Sequence, residues 1–539
     1  MRESDQPDTG LPRSNEADPA SIPTPILPAT GASAAGEPMT RAAQKAAAQA
    51  QGDAQRPSPF AGVLTAIRRH PRTWIIAGAA AAFVVLGGGS VALGATVGTP
   101  AAAAGPASPS ATATATPTPT PTPVKTVAKP ARAVPANAPA ASRVRTCSVA
   151  GLSQDGRLGN LEAQVVNAKT GQVMFDRNGG KPGPTASVLK TLTSAAALAV
   201  LGPDYRVSTT VLKTSTPGQL VLVGGGDVTL SRLPGGQNSF YTGAPKIQDL
   251  ADQAKRALGG QPVTSIIVDT SLFGAPVWQP SWDEHEERVV EGSTSYITAL
   301  QVDGDRDDPT AIESPRSTDP VGRAVQSFQQ YLGTNVPVAA GTAPAGAQQI
   351  AVVQSQPVTT LVDQAMRVSD NTIMEELARL VAIKTGAGNT FEAENAGVIA
   401  GLKPYGIPTT GIHIADGSGL SGDNAVPPSY LTQLFIKVLN RQNGLGVVYD
   451  GLPISGQSGT LASGYDRFTG DNAVARGAVH AKTGWINNGY TLAGVVDAAD
   501  GTKLTFAVFA LGNVGDNAKQ AIDSLVTGFY RCGDNLSNN

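Results

Sequence analysis

The spacing of apolar positions changes several times along this chain, and each change marks an element. Leu161–Val166 and Gln172–Phe175 flank a Lys169-Thr170-Gly171 turn and read as a hairpin. Ser187–Leu201 carries a small, apolar face at helical spacing. Gln219–Val223 reads as a strand ending in Gly224-Gly225-Gly226, and Val263–Val268 as another. Val358–Met366 and Asn371–Lys384 read as two helices with Ser369 at the break between them. Tyr490–Asp497 and Lys503–Leu511 form a second hairpin around Asp500-Gly501, and Asn517–Tyr530 a last amphipathic helix. Strands at both ends with helices between them predict an α+β fold, an antiparallel sheet covered by helices. The stretch 202–355 is rich in strand and turn signals and is expected to form one or more inserted, β-rich domains.

The first 146 positions follow a different pattern. Residues 1–72 are rich in Ala, Pro, Gly, Ser and Gln and are expected to be a disordered cytoplasmic segment. From Trp74 to Val97 runs an uncharged, mostly apolar stretch, long enough at ~1.5 Å per residue to cross ~30 Å of hydrocarbon. Arg68, Arg69 and Arg72 precede it and no charge follows until Lys125, so a single transmembrane helix at 73–97 would leave the N-terminus in the cytoplasm and the rest outside. A cleaved secretory signal is the alternative, disfavoured by the length of the run and its distance from the start. Residues 98–146 are a Pro/Thr/Ala-rich linker that could extend to ~140 Å at ~3.1 Å per residue.

Composition adds exclusions. Charge is nearly balanced, with 40 Lys+Arg against 42 Asp+Glu, so nothing points to nucleic acid. Two cysteines, Cys147 and Cys532, rule out a disulfide framework or zinc cluster. In an extracellular compartment they would join and bracket the folded part; two separate buried thiols are the alternative. Asp283-Glu284-His285-Glu286 has no second nearby histidine and reads as a solvated acidic loop rather than a metal site. No metal or organic cofactor is expected.

Three short motifs stand in order: Ser187-Val-Leu-Lys190, Ser369-Asp370-Asn371 and Lys482-Thr483-Gly484. On a helix, positions three apart share a face, which puts an amine beside the Ser187 hydroxyl. A serine becomes a good nucleophile only when something removes its proton, and a lysine can do so only when neutral. Ser369 could relay a proton to a leaving group, and Asn371 could bind Lys190 or a substrate amide; the plain reading of the triplet is a helix cap. Lys-Thr-Gly occurs three times, but 169–171 reads as a turn and 384–386 as a helix end. Only 482–484 has strand context, where an edge could align a peptide by β-addition. There Lys482 could hold a substrate carboxylate or tune Ser369, and Gly484 would permit close approach of backbone.

Together the three motifs are those of the class A β-lactamases and penicillin-binding proteins. The chain resembles the low-molecular-mass class C penicillin-binding proteins of the D-alanyl-D-alanine carboxypeptidase/endopeptidase type, serine peptidase family S13. The stretches that carry the resemblance are Pro184-Thr-Ala-Ser-Val-Leu-Lys190, Leu222-Val-Gly-Gly-Gly-Asp227, Ser369-Asp-Asn371, Asp416-Gly-Ser-Gly-Leu-Ser421, Gly459-Thr-Leu461 and His480-Ala-Lys-Thr-Gly484. The gap of 182 positions between Ser187 and Ser369 is far longer than in a class A β-lactamase, whereas this family inserts domains there. The resemblance implies a transpeptidase-like catalytic domain made of 147–201 and 356–535, interrupted by the insert. It implies catalysis by Ser187, Lys190, Ser369 and Asn371, with substrate held by Lys482, Thr483, Gly484 and Trp485. Ser187 would attack the carbonyl between the terminal D-alanines of a peptidoglycan stem peptide, or a D-Ala cross-link, through an acyl-enzyme. β-Lactams would acylate the same serine, and the amides of Ser187 and Trp485 would face the oxyanion. One position departs: the family usually has Thr or Ser after Lys-Thr-Gly, to help hold the terminal carboxylate. Trp485 shifts the expectation toward cross-link cleavage or weak activity. A β-lactamase, with Glu375, Glu376, Glu392 or Glu394 as the deacylating carboxylate, and a non-catalytic cell-wall-binding protein of the same fold are the competing readings.

Overall fold

The computed structural model describes residues 144–539. The expected cytoplasmic segment, the transmembrane helix at 73–97 and nearly all of the linker lie outside the described residues. Among the described residues no helix is long and apolar enough to cross a membrane.

In chain order, strands β1 (Asn160–Asn167) and β2 (Val173–Arg177) lead to a 3-10 turn, Ala186–Leu189, which runs into helix α1 (Lys190–Val200). Then come β3 (Ser208–Lys213), β4 (Gln219–Val223), α2 (Ile247–Leu258), β5 (Ser265–Asp269), α3 (Pro320–Leu332), β6 (Val338–Ala340) and β7 (Gln348–Gln354). Helices α4 (Val358–Val368), α5 (Asn371–Lys384), α6 (Phe391–Leu402) and α7 (Pro428–Leu439) follow. Strands β8 (Val479–Ile486), β9 (Gly489–Asp497) and β10 (Lys503–Leu511) and helix α8 (Ala518–Cys532) complete the chain.

The first sheet is antiparallel in the order β2-β1-β10-β9-β8, so segments from both ends of the described chain meet at its centre. β10 is apolar almost throughout because helices cover both faces of the sheet. Leu504, Phe506, Val508 and Ala510 turn toward α8, where Phe506 and Phe175 both approach Phe529. Ala507, Phe509 and Leu511 turn the other way, into a core shared with α1, α4, α5, α6 and α7. This is the period of two expected of a strand, with both sets buried. Each fully buried Phe contributes roughly 1.5–3 kcal/mol by leaving water. β8 is an edge strand of this sheet, and an isolated antiparallel bridge joins its His480 to Ile454 on the outer side. Cys147 and Cys532 are joined, with Cα atoms 5.4 Å apart, and Cys147 bridges to Leu536.

The second sheet, β6-β5-β4-β3-β7, draws its strands from residues 208–354. β4, β5 and β6 are parallel, while β3 and β7 are antiparallel to their neighbours. The expectation of a β-rich insert is corrected here: two helices pack on this sheet, making the segment an α/β layer. Ile247, Leu250, Ala251, Ala254 and Leu258 form the buried stripe of α2. Asp319 caps α3 by accepting from the Gly322 amide, with Pro320 at the first helical position. Both signals are local and helical; the Gly- and Pro-rich connections around them had read as turns between strands.

Candidate active site

Ser187 lies in the 3-10 turn rather than in the α-helix expected from 187 onward. In a 3-10 turn residues i and i+3 eclipse, so Lys190 stands directly over Ser187. The Lys190 Nζ is 2.9 Å from the Ser187 Oγ. It also donates to the Asn371 Oδ1 at 2.7 Å and to the Ser418 carbonyl at 2.7 Å. Lys190 is fully buried and Ser187 is 3% exposed.

Helices α4 and α5 meet at Ser369, which takes a left-handed conformation (φ 64°, ψ 38°). Asp370 caps α5, its Oδ1 accepting from the Ile373 amide at 2.9 Å. The cap reading of the triplet and the functional reading are therefore compatible: Asp370 caps, while Ser369 and Asn371 face the two lysines. Asn371 donates its Nδ2 to the Ser293 carbonyl at 3.2 Å, which fixes the amide so that Oδ1 faces Lys190. Asp370 is also ion-paired with Arg306 at 3.0 Å, both side chains nearly inaccessible to water. Burial opposes ionisation of Asp370, but the Arg306 guanidinium, the Ile373 amide and Arg316 together outweigh it and hold the carboxyl below its ordinary value.

Lys482, Thr483 and Gly484 lie on β8, the last strand in the sheet order, whose outer side bonds to the 453–455 segment at Val479–Ala481, just before them. Lys482 is fully buried and donates to the Ser369 Oγ and to the Thr483 carbonyl, both at 2.9 Å. The hydroxyls of Thr483 and Thr460 are 2.6 Å apart. Gly484 lets β8 pass against the turn that carries Ser187: a Cβ there would run into the Thr491 hydroxyl and lie 2.9 Å from the Ser187 amide nitrogen. That amide is at the start of its turn, where no intrahelical acceptor is available. Trp485 is half-buried, its ring 6.4 Å from that of Tyr490.

The loop Asp416–Ser421 supplies the third ligand of Lys190. Glu375, one helical turn past Asn371, accepts from the amides of Gly417 and Ser418 at 2.9 and 2.7 Å. Asp416 accepts from the amides of Gly419 and Ser421, from Asn424 Nδ2 and from the Trp282 indole. Burial, then the nearby Asp416, push the Glu375 carboxyl up to about 8. Gly419, at φ 88°, is needed because a Cβ would strike the Ala186 carbonyl.

The structure thus brings Ser187, Lys190 and Asn371 into one cluster and Ser369 with Lys482 into an adjoining one, bridged by the Ser369–Asn371 segment. Four groups were not singled out from sequence. Ser418 and Thr460 sit in Asp416–Ser421 and Gly459–Leu461, stretches whose residue pattern was already conspicuous. Ser293 acts through its backbone carbonyl, which leaves no trace in residue type. Arg306 is an isolated arginine in the second-sheet segment. The acidic run at 283–286 folds locally: Asp283 accepts from the Glu286 amide, and Glu284 pairs with Arg288 and Tyr296.

Residues 146–307 and 298–531 match the model of the D-Ala-D-Ala carboxypeptidase 3 (S13) family. The chain is 37% identical over 381 residues to Carboxypeptidase DacB of Mycolicibacterium smegmatis, covering 70% of this chain and 81% of that protein. It is 36% identical over 392 residues to a carboxypeptidase of Mycobacterium tuberculosis, covering 72% of this chain and 84% of that one. Its fold is like that of the crystal structure of penicillin binding protein 4 from Haemophilus influenzae, with a TM-score of 0.59 at 21% identity, over 71% of this chain and 99% of that one. The chain belongs to the D-Ala-D-Ala carboxypeptidase 3 (S13) family.

Proposed function

We propose that this protein is a serine D-Ala-D-Ala peptidase of peptidoglycan stem peptides whose acyl-enzyme forms on Ser187, and that β-lactams acylate the same residue. The observation that carries the assignment of roles is the environment of Lys190. A neutral amine has two N–H groups and one lone pair. In a neutral Lys190 the Asn371 Oδ1 and the Ser418 carbonyl can accept the N–H groups while the lone pair meets the Ser187 hydroxyl at 2.9 Å. Lys190 then takes the proton as Ser187 Oγ bonds to the scissile carbonyl carbon. The oxyanion is met by the Ser187 and Trp485 amides, donors of a kind typically worth about 3–4 kcal/mol each. Ser369, held by Lys482, passes its proton to the leaving amine, D-alanine or the amino group of a cross-link, and receives in its place the proton that Lys190 took from Ser187. Water then hydrolyses the ester and Ser187 recovers its proton.

Three of the four glutamates that a β-lactamase reading would call on are engaged elsewhere, and the fourth, Glu392, is exposed on α6. Glu375 holds the 416–421 loop, Glu376 accepts from the Val228 amide, and Glu394 is ion-paired with Arg379 at 2.8 Å. This supports slow deacylation, the behaviour of a penicillin-binding peptidase. Trp485 in place of a hydroxyl-bearing residue supports a preference for cross-links over free D-Ala-D-Ala ends. The apolar stretch Trp74–Val97, flanked by Arg68, Arg69 and Arg72, supports a single-pass anchor with the peptidase outside the cell.

Labelling of the full chain with a fluorescent penicillin tests the assignment. The wild type is expected to label covalently and Ser187→Ala to lose the label. A wild type that takes no label would leave a cell-wall-binding protein as the better reading.

A further inference from the structure

We propose that Arg306 is a positioning residue for Ser369: through Asp370 it locks the α4–α5 junction so that the Ser369 hydroxyl stays against Lys482. The inference rests on the assignment of Ser369 as the proton relay.

Ser369 has positive φ without being glycine, a conformation that persists only where its surroundings over-determine it. The residue after it is held from three directions. The Asp370 amide donates to the Ala365 carbonyl of α4 at 3.2 Å. Its Oδ1 caps α5. Its Oδ2 accepts from the Arg306 Nη2 at 3.0 Å and from the Tyr241 hydroxyl at 3.3 Å. The first two bonds belong to the two helices; only the third ties their junction to another part of the protein. Asn371 is tied to the same part through the Ser293 carbonyl. Both residues that follow Ser369 are therefore fixed by chain that runs alongside the second sheet.

Arg306 is itself built to stay in place. Its guanidinium lies 4.4 Å from the Phe240 ring centroid and 4.7 Å from that of Tyr241. It donates from Nη1 to the Asp303 carbonyl at 3.1 Å and from Nη2 to the Ile312 carbonyl at 3.3 Å. A buried charged fork is costly unless paired, and an apolar residue would fill the space at less cost. What arginine adds is a fixed direction for its hydrogen bonds. The Ser369 Oγ, one residue from this anchor, is the atom that Lys482 holds at 2.9 Å. Arg306, Asp370 and Ser369 also line one cavity, with Phe240 and Ser293, so a direct contact of Arg306 with substrate is the alternative to be separated.

The test is the rate of acylation of the full chain by a fluorescent penicillin in wild type, Arg306→Met, Ser369→Ala and the double variant. Arg306→Met is expected to slow acylation about 10- to 100-fold at saturating penicillin, the cost of a misplacement of about 1 Å, with little change in the penicillin concentration that saturates. In the Ser369→Ala background the same substitution is expected to cost nothing more, because the group it positions is gone. An Arg306→Met variant that acylates at the wild-type rate overturns the inference. So does an equal fold-loss in both backgrounds, the result expected of a substrate contact or of general loosening. If Arg306→Met does not fold, Asp370→Asn replaces it, since asparagine keeps a cap for Ile373 while removing the ion pair; the same two results decide. Ser369→Ala acylating at the wild-type rate would instead overturn the relay assignment itself.

Discussion

The Ser187 amide occupies the space that a side chain on Gly484 would need: a Cβ at 484 lies 2.9 Å from that nitrogen and 2.8 Å from the Ala186 Cβ. The third motif therefore touches the first through backbone. Gly484→Ala should displace the Ala186–Leu189 turn from β8, destabilise the fold by roughly 1–3 kcal/mol as overpacking does, and cut acylation about 100-fold. Thermal melts and penicillin labelling measure the two effects. Acylation at the wild-type rate would show that the turn is not held where described.

Lys190→Ala removes the proposed base and leaves the Asn371 Oδ1 and the Ser418 carbonyl without their shared donor. Each buried acceptor left unpaired costs about 1–3 kcal/mol, so the variant should still fold but melt lower. Acylation should fall by about 10²–10⁴-fold, the range for a positioned base. A folded variant that acylates as fast as wild type would assign the base elsewhere.

Stability should decline between about pH 4 and 6 because of Asp227. Burial raises this carboxyl from 3.8 to about 6. Its Oδ1 accepts from the Thr229 amide and hydroxyl, but its Oδ2 has no partner. In this window the folded state keeps a proton that the unfolded chain releases, so stability is greatest below the lower value and is lost as pH rises through the upper one. The loss is roughly 3 kcal/mol at about 1.36 kcal/mol per unit. Asp227→Asn keeps the acceptor for Thr229 and should flatten this part of the curve of melting temperature against pH. An unchanged slope would mean that Asp227 ionises as freely when folded as when unfolded.

Trp485→Thr should raise turnover of a peptide ending in D-Ala-D-Ala about 10- to 150-fold, because a hydrogen bond to a charged group contributes about 1.5–3 kcal/mol. Release of D-alanine, compared with cleavage of a cross-linked dimer, gives the measurement. The ratio should move toward the free-ended peptide. A fall in D-alanine release would assign the indole a binding role of its own.

Much of this architecture was legible in the order of residues. β4, α5 and β10 coincide with Gln219–Val223, Asn371–Lys384 and Lys503–Leu511, because each has an uninterrupted period and a clear boundary. Ser187, Lys190, Ser369, Asn371 and Lys482 were legible because their chemistry lies in side chains at diagnostic spacing. The 3-10 turn at Ser187 was not, since Ala186–Leu189 has the residue types of an ordinary helix and its geometry is imposed by Gly419 and Gly484, hundreds of positions away. Helices α2 and α3 were hidden by the glycines and prolines around them. Ser293 and Ser418 act through carbonyls, which every residue possesses. Arg306 meets Asp370 only after 64 intervening steps of chain are folded, and nothing local announces that pairing.

The covalent link between Cys147 and Cys532 has a mechanical side. Residue 147 precedes β1, a central strand of the sheet that carries Lys482, and residue 532 ends α8, which packs on that sheet. A pull applied at Cys147 is divided between β1 and α8. β1 cannot be peeled away without dragging the terminal helix along, so such a pull is shared before it reaches β8 and the Ser187 turn.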